Sequence, residues 1–260
     1  MASRQGLSRR ALALIAAGAV AIIAVFALTA PLPQDPAYHL FADDRTLLGV
    51  VNALNVLSNL PFLIVGAWAL AYVLRHRPLT RDLTAAYAVF FLGVFLTGLG
   101  SGYYHLAPAN ETLVWDRLPM TIGFAGLFSV VAVSLKKARL GRRLLLPLLF
   151  VSAGSVAYWA MTEARAIGDL RPYALVQFLP MLLTPVILVL RGRGKPLTRY
   201  FWALILFYVL AKVAEFQDAS VYTAFHALSG HSLKHLLASL SPAALLVGFA
   251  RTIEVVLTDG

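Results

Sequence analysis

The feature that most constrains this chain is a series of apolar runs, most of them about 18 to 25 residues long, that recur along its whole length. A helix of that length crosses a hydrocarbon core of about 30 Å. Hydrophobic residues make up 60% of the 260 and charged residues only 13%, against roughly a quarter charged in a soluble domain. No long polar stretch separates the runs, so the chain reads as one all-α membrane protein with no additional soluble domain.

Runs are predicted at 11–30, 47–74, 83–106, 113–135, 144–161, 172–190, 200–213 and 231–250. The first follows Arg4, Arg9 and Arg10, and precedes Pro31 and Pro33. At about 20 residues it exceeds the usual apolar region of a signal peptide, and it is expected to be a retained helix. With a cytoplasmic N-terminus, the segments on the inner side hold 16 of the 22 Lys and Arg residues. That alternation fits eight spans with both termini cytoplasmic. Residues 1–37 are then an N-terminal helix with its connecting loop, and 38–260 a seven-helix core. The net charge of +10 sits in short loops, where it sets orientation, and no nucleic-acid partner is expected. There are no cysteines, so any metal must be held by His, Asp or Glu.

Ionisable residues inside spans cost free energy and need a reason. Ser101 and His105 are four residues apart at the outer end of the third run and share a face. Asp116 follows eleven residues after His105, at the start of the fourth run, across a short loop. A tight helical hairpin could bring the two together; an interfacial His beside a surface Asp116–Arg117 pair is the other reading. His231 and His235 open the last run at i and i+4, a spacing that presents two imidazoles to zinc. By the charge count, His105, Asp116 and His231 all fall at one depth on the outer side. Asn52, Asn55 and Asn59 lie at i, i+3 and i+7 in the second run and would share a helix face. They serve either as hydrogen-bonding glue between helices or as support for a metal site. Lys212 can pair with Glu215, and Asp218 with Lys234; none of His226, His39, Asp43, Asp44, Arg45 or His76 is expected at the reaction centre.

Together, Ser101-x-x-x-His105, Asp116 in Asp-x-Leu-Pro-Met, His231-x-x-x-His235, and Asn55 with Ser58 and Asn59 resemble the alkaline ceramidases. These belong to a superfamily of seven-helix membrane hydrolases that includes the adiponectin-receptor type. The resemblance runs over about residues 38–250 and makes the first helix an addition. It implies a zinc-dependent hydrolase of a linear amide that cleaves a ceramide-like N-acyl membrane lipid, with zinc-activated water as nucleophile. By motif position, His105, His231 and His235 would be the zinc ligands and Asp116 and Ser101 the catalytic residues. Asn55, Ser58 and Asn59 would lie behind the metal. Some members carry calcium in an acidic N-terminal segment; here only Asp43 and Asp44 remain and Asn52 stands in place of a Glu, which argues against calcium. These departures, with Lys234 inside the last motif, point to a divergent bacterial member in the plasma membrane, its site toward the outer side. The alternative is a non-catalytic, receptor-like protein that keeps the zinc and binds a lipid.

Overall fold

The computed structural model describes residues 9–77, 81–134 and 138–258. Arg4, Lys136 and Lys137, counted above among the inner-side charges, lie outside them. The described residues form α1 (Arg9–Leu28), a 3-10 turn (Pro36–His39), α2 (Ala53–Leu57), α3 (Leu60–Arg75), α4 (Arg81–Leu106) and α5 (Asn110–Ser134). They continue with α6 (Ala138–Glu163), α7 (Arg171–Arg191), α8 (Thr198–Phe216), α9 (Asp218–Phe225) and α10 (Gly230–Thr258). Six helices, with α2 and α3 taken together, are long and apolar enough to cross a membrane. The α8–α9 pair, bent by 79°, makes a seventh if it is one span. The chain is an integral membrane protein by this measure.

Three departures from the expected runs have local causes. The second run is not one helix: α2 ends at Leu57 and α3 begins at Leu60. Pro61, in the first turn of α3, has no N–H to continue the ladder. Residues before Ala53 are irregular, with Leu48, Gly49 and Asn52 at positive φ. Asn52, Asn55 and Asn59 therefore do not sit on one continuous helix face, although all three are buried. The fifth run starts earlier than hydropathy suggests, because Arg139, Arg142 and Arg143 already lie on α6.

In lipid, helices gain little from burying apolar surface against each other, and small residues that allow close approach drive packing. The α4–α5 pair shows this. A Cβ on Gly93 would lie 2.5 Å from the backbone nitrogen of Gly123, and one on Gly126 the same distance from that of Phe90. The main apolar core includes Phe62, Tyr87, Phe91, Val130, Phe201 and Phe249, drawn from α3, α4, α5, α8 and α10. A smaller cluster, with Tyr104, Leu113, Trp159 and Tyr173, lies nearer one end of the bundle. At that end the C-terminus of α4 meets the N-termini of α3, α5 and α10.

Candidate metal centre

The N-terminal half-turn of α10 is fixed by side chains that take its free N–H groups. Ser229 Oγ accepts from Ser232 N at 3.1 Å, as an N-cap does. Asp218 Oδ1 accepts from His231 N at 2.7 Å, and its Oδ2 from Ala42 N at 2.9 Å. Asp218 thus ties α10 to the segment before α2, and it does not pair with Lys234 as the sequence suggested. The C-terminal end of α4 is held in a matching way: Asn52 Nδ2 donates to the His105 carbonyl at 2.9 Å.

These two ends bring three imidazoles together. The ring centroids of His105, His231 and His235 lie 4.9 to 5.0 Å apart, all three residues are buried, and one ligand nitrogen from each falls within 4.8 Å of the others. Among the described residues this is the one group of His, Cys, Asp and Glu that could hold a metal ion. His105 Nδ1 and His231 Nε2 are buried without a hydrogen-bond partner. Orphaned buried polar atoms cost about 1–3 kcal/mol each, and a cation between the rings would satisfy them. Phe41 packs edge-on against His105 and His231, with centroids at 4.8 and 4.6 Å, and covers the cluster. Nothing in the hydropathy of the sequence marked Phe41.

Ser58 determines how His235 presents itself. Its hydroxyl lies 2.8 Å from His235 Nδ1 and 3.1 Å from the Asn55 carbonyl, and Asn59 Nδ2 lies 3.4 Å from the same Nδ1. Asn59 Nδ2 donates to the same Asn55 carbonyl at 2.8 Å. The Asn55 side chain accepts from Ser232 Oγ at 2.7 Å and donates to the Asp43 carbonyl at 2.9 Å. The α2–α3 break creates this arrangement, since it turns the Asn55 carbonyl out of the helical ladder.

Ser101 and Asp116 are brought together by the same hairpin that places His105. Pro119 has no N–H, so the Trp115 carbonyl four residues earlier lacks its helical partner, and Gly100 of α4 packs against that carbonyl. The next residue on each helix is Ser101 and Asp116, both buried and both on the wall of one cavity. Gly100→Ala would drive a Cβ into backbone and not into a flexible side chain. It is expected to cost about 1–3 kcal/mol or more, as overpacking does, and to show as a lower melting temperature in detergent.

Asp116 and Arg117 are both buried, which overturns the reading of a surface pair. The Arg117 guanidinium lies 4.1 Å from the Trp159 ring and 4.7 Å from the Tyr173 ring, and donates to Gln34 Oε1. A cavity of about 380 Å³ opens beside the imidazoles; its wall includes His235, Ser101, Asp116, Lys212, Glu215 and Lys234. The last three were not expected here. Glu215 accepts from Lys212 at 2.7 Å and from Lys234 at 2.8 Å, the first pair foreseen and the second not. A larger apolar hollow of about 550 Å³ lies between α1, α5, α6 and α7 and touches none of these residues.

On the calcium question, Asp43 is bound in bidentate fashion by Arg45, at 2.7 and 2.8 Å. The guanidinium holds the Asp43 carboxyl below the usual range, and a carboxylate so engaged is not free for a cation.

No curated protein matches the chain. A family model described as Ceramidase matches residues 49–252, more than half of the chain. The matched segment contains the three imidazoles, Ser101 and Asp116, and the chain belongs to the ceramidase family.

Proposed function

We propose that this protein is a zinc-dependent intramembrane hydrolase that cleaves the amide bond of a ceramide-like N-acyl lipid. The observation that carries the proposal is the convergence of three buried imidazoles beside a cavity walled by Ser101 and Asp116. Three His residues with an open position are a catalytic zinc set, and the two unpartnered nitrogens suit a cation. His105, His231 and His235 would hold the metal. When bound, zinc supplies a Lewis acid that polarises a carbonyl and lowers the pKa of a water toward about 7.

The chain's own groups supply the rest. Asp116 accepts a proton from the attacking water and passes it to the leaving amine. Ser101, on the same cavity wall, is placed to hydrogen-bond the attacking water or the developing oxyanion. Phe62, Met120, Phe178 and Ala238 form an apolar wall for the acyl chain. Phe41 keeps bulk water off the imidazoles. Ser58 and Asn59 hold the His235 ring from behind, and the Asn55 carbonyl anchors both of them. Removing such a supporting hydrogen bond costs about 10–100-fold in metal affinity. Ser58→Ala is therefore expected to release zinc to a chelator at correspondingly lower chelator concentration, read by titration of the purified protein.

The topology proposed with this function has α1 as a further span before a seven-helix core, both termini cytoplasmic, in a bacterial plasma membrane. That places the site at the outer face, by the distribution of Lys and Arg. The test is lipid mass spectrometry of purified, zinc-loaded protein with a panel of N-acyl lipids. Release of free fatty acid and amine in equal amounts is expected; intact lipids across the panel, with zinc bound, would leave a receptor-like protein instead.

A further inference from the structure

The site cavity is shallow, and its inner end is closed. Ser101, Asp116, Lys212 and His235 line it on α4, α5, α8 and α10, near the end of the bundle that carries the imidazoles. The deepest lining residues on the same four helices are Thr97, Met120, Tyr208 and Ala238, about one turn further in. At 1.5 Å of rise per residue the lining extends only about 6 Å past the site. One turn past Gln177 on α7 and Tyr208 on α8, Met181 and Leu204 are buried in the main apolar core. Tyr208 is braced where it stands. Gln177 Nε2 donates to its hydroxyl at 3.3 Å, and the Phe124 ring meets it edge-on with centroids 6.2 Å apart. Gln177 is buried, and an amide inside a span is costly unless it is hydrogen-bonded. Neither Gln177 nor Tyr208 has a task in the metal centre.

We infer that Tyr208, held by Gln177 and Phe124, is the floor that sets acyl-chain length, and that the preferred substrate is an N-acyl lipid with a short acyl group. This rests on the hydrolase reading and names its substrate class. The acyl chain of a bulk membrane lipid extends over about 15 Å, half of the hydrocarbon core, more than twice the depth below the site. A cavity of about 380 Å³ with a fixed floor takes only the first part of such a chain. Each methylene that a closed apolar pocket gains or loses is worth about 10-fold or more in selectivity. Two other arrangements compete with this one. The Gln177–Tyr208 hydrogen bond could be purely structural, joining α7 to α8. A long chain could also leave sideways past Phe178, which lines the cavity and is exposed.

Tyr208→Ala and Tyr208→Phe separate these roles, because the first removes the floor and the second keeps the ring while losing the hydroxyl. The experiment presents N-hexanoyl-, N-dodecanoyl- and N-palmitoyl-sphingosine at equal mole fraction in detergent micelles to wild type and both variants. Displacement of a fluorescent N-acyl lipid reads binding, and mass spectrometry follows turnover of the same three lipids. Wild type is expected to favour the hexanoyl over the palmitoyl lipid by tenfold or more. Tyr208→Ala should bring that ratio close to one by gaining the palmitoyl lipid, and Tyr208→Phe should keep the wild-type ratio. Where Tyr208→Ala unfolds, Tyr208→Leu is read in its place. Equal or better binding of the palmitoyl lipid by wild type overturns the inference in favour of a sideways exit. An unchanged ratio in Tyr208→Ala, or an equal loss across all three lengths, overturns it in favour of a structural pair. A length preference in binding without turnover supports it and counts against hydrolysis, whereas turnover at one rate for all three lengths does the reverse.

Discussion

Asp116→Asn is expected to lower turnover of the lipid amide by about 10²–10⁴-fold, the range that a positioned acid–base group contributes. Asn has nearly the same volume, but it cannot take a proton from water or deliver one to an amine. Asp116 is buried on the cavity wall and does not belong to the imidazole cluster, so zinc content should stay at the wild-type level. That split distinguishes a proton-handling group from a ligand. Wild-type turnover in Asp116→Asn would remove Asp116 from the chemistry, and loss of zinc would make it part of the metal's support.

The second large effect is expected from His231→Ala combined with His235→Ala. The two rings come from successive turns of α10, and Ser58 reaches the second of them. One imidazole on α4 then remains, too few to hold zinc in a tetrahedral site. The several kcal/mol of stabilisation that a metal gives the developing charge disappear with it, which is about 10³-fold or more in rate. Turnover should fall to background. His105 and Phe41 keep their places on other elements, so the change in melting temperature in the metal-free state should be modest. Retention of turnover in the double variant would exclude a metal-dependent reaction at this centre.

Much of this architecture is legible in the amino-acid sequence, because lipid imposes a simple rule on it. The hydropathy runs coincide with α4, α5 and α7 to within a few residues and with the start of α10, which continues to Thr258, past the end of its run at 250. The i, i+4 spacings of Ser101 with His105 and His231 with His235 correctly place each pair on one helix face. What escaped notice depends on irregular backbone and on distant partners. Pro61 was visible, yet hydropathy carries the second run straight through the α2–α3 break, so the convergence of Asn55, Ser58 and Asn59 on α10 was seen only as a helix face. Phe41 lies in a connecting segment without periodicity, and distant ties such as Asp218 to Ala42 and Asn55 to Asp43 bring it over the imidazoles. Lys234 was assigned to Asp218 by proximity in sequence, whereas the 79° bend after α8 swings Asp218 away and leaves Glu215 facing Lys234. Arg117 looked like a surface charge because its shelter, Trp159 and Tyr173, comes from α6 and α7.

The most direct test is the metal content of the purified, detergent-solubilised protein, measured by elemental mass spectrometry without added zinc. One zinc per chain in the wild type, retained in Asp116→Asn and absent after His231→Ala with His235→Ala, is the expected result. A wild-type protein free of zinc, or a double variant that carries as much as the wild type, would contradict the metal centre and the hydrolytic chemistry built on it.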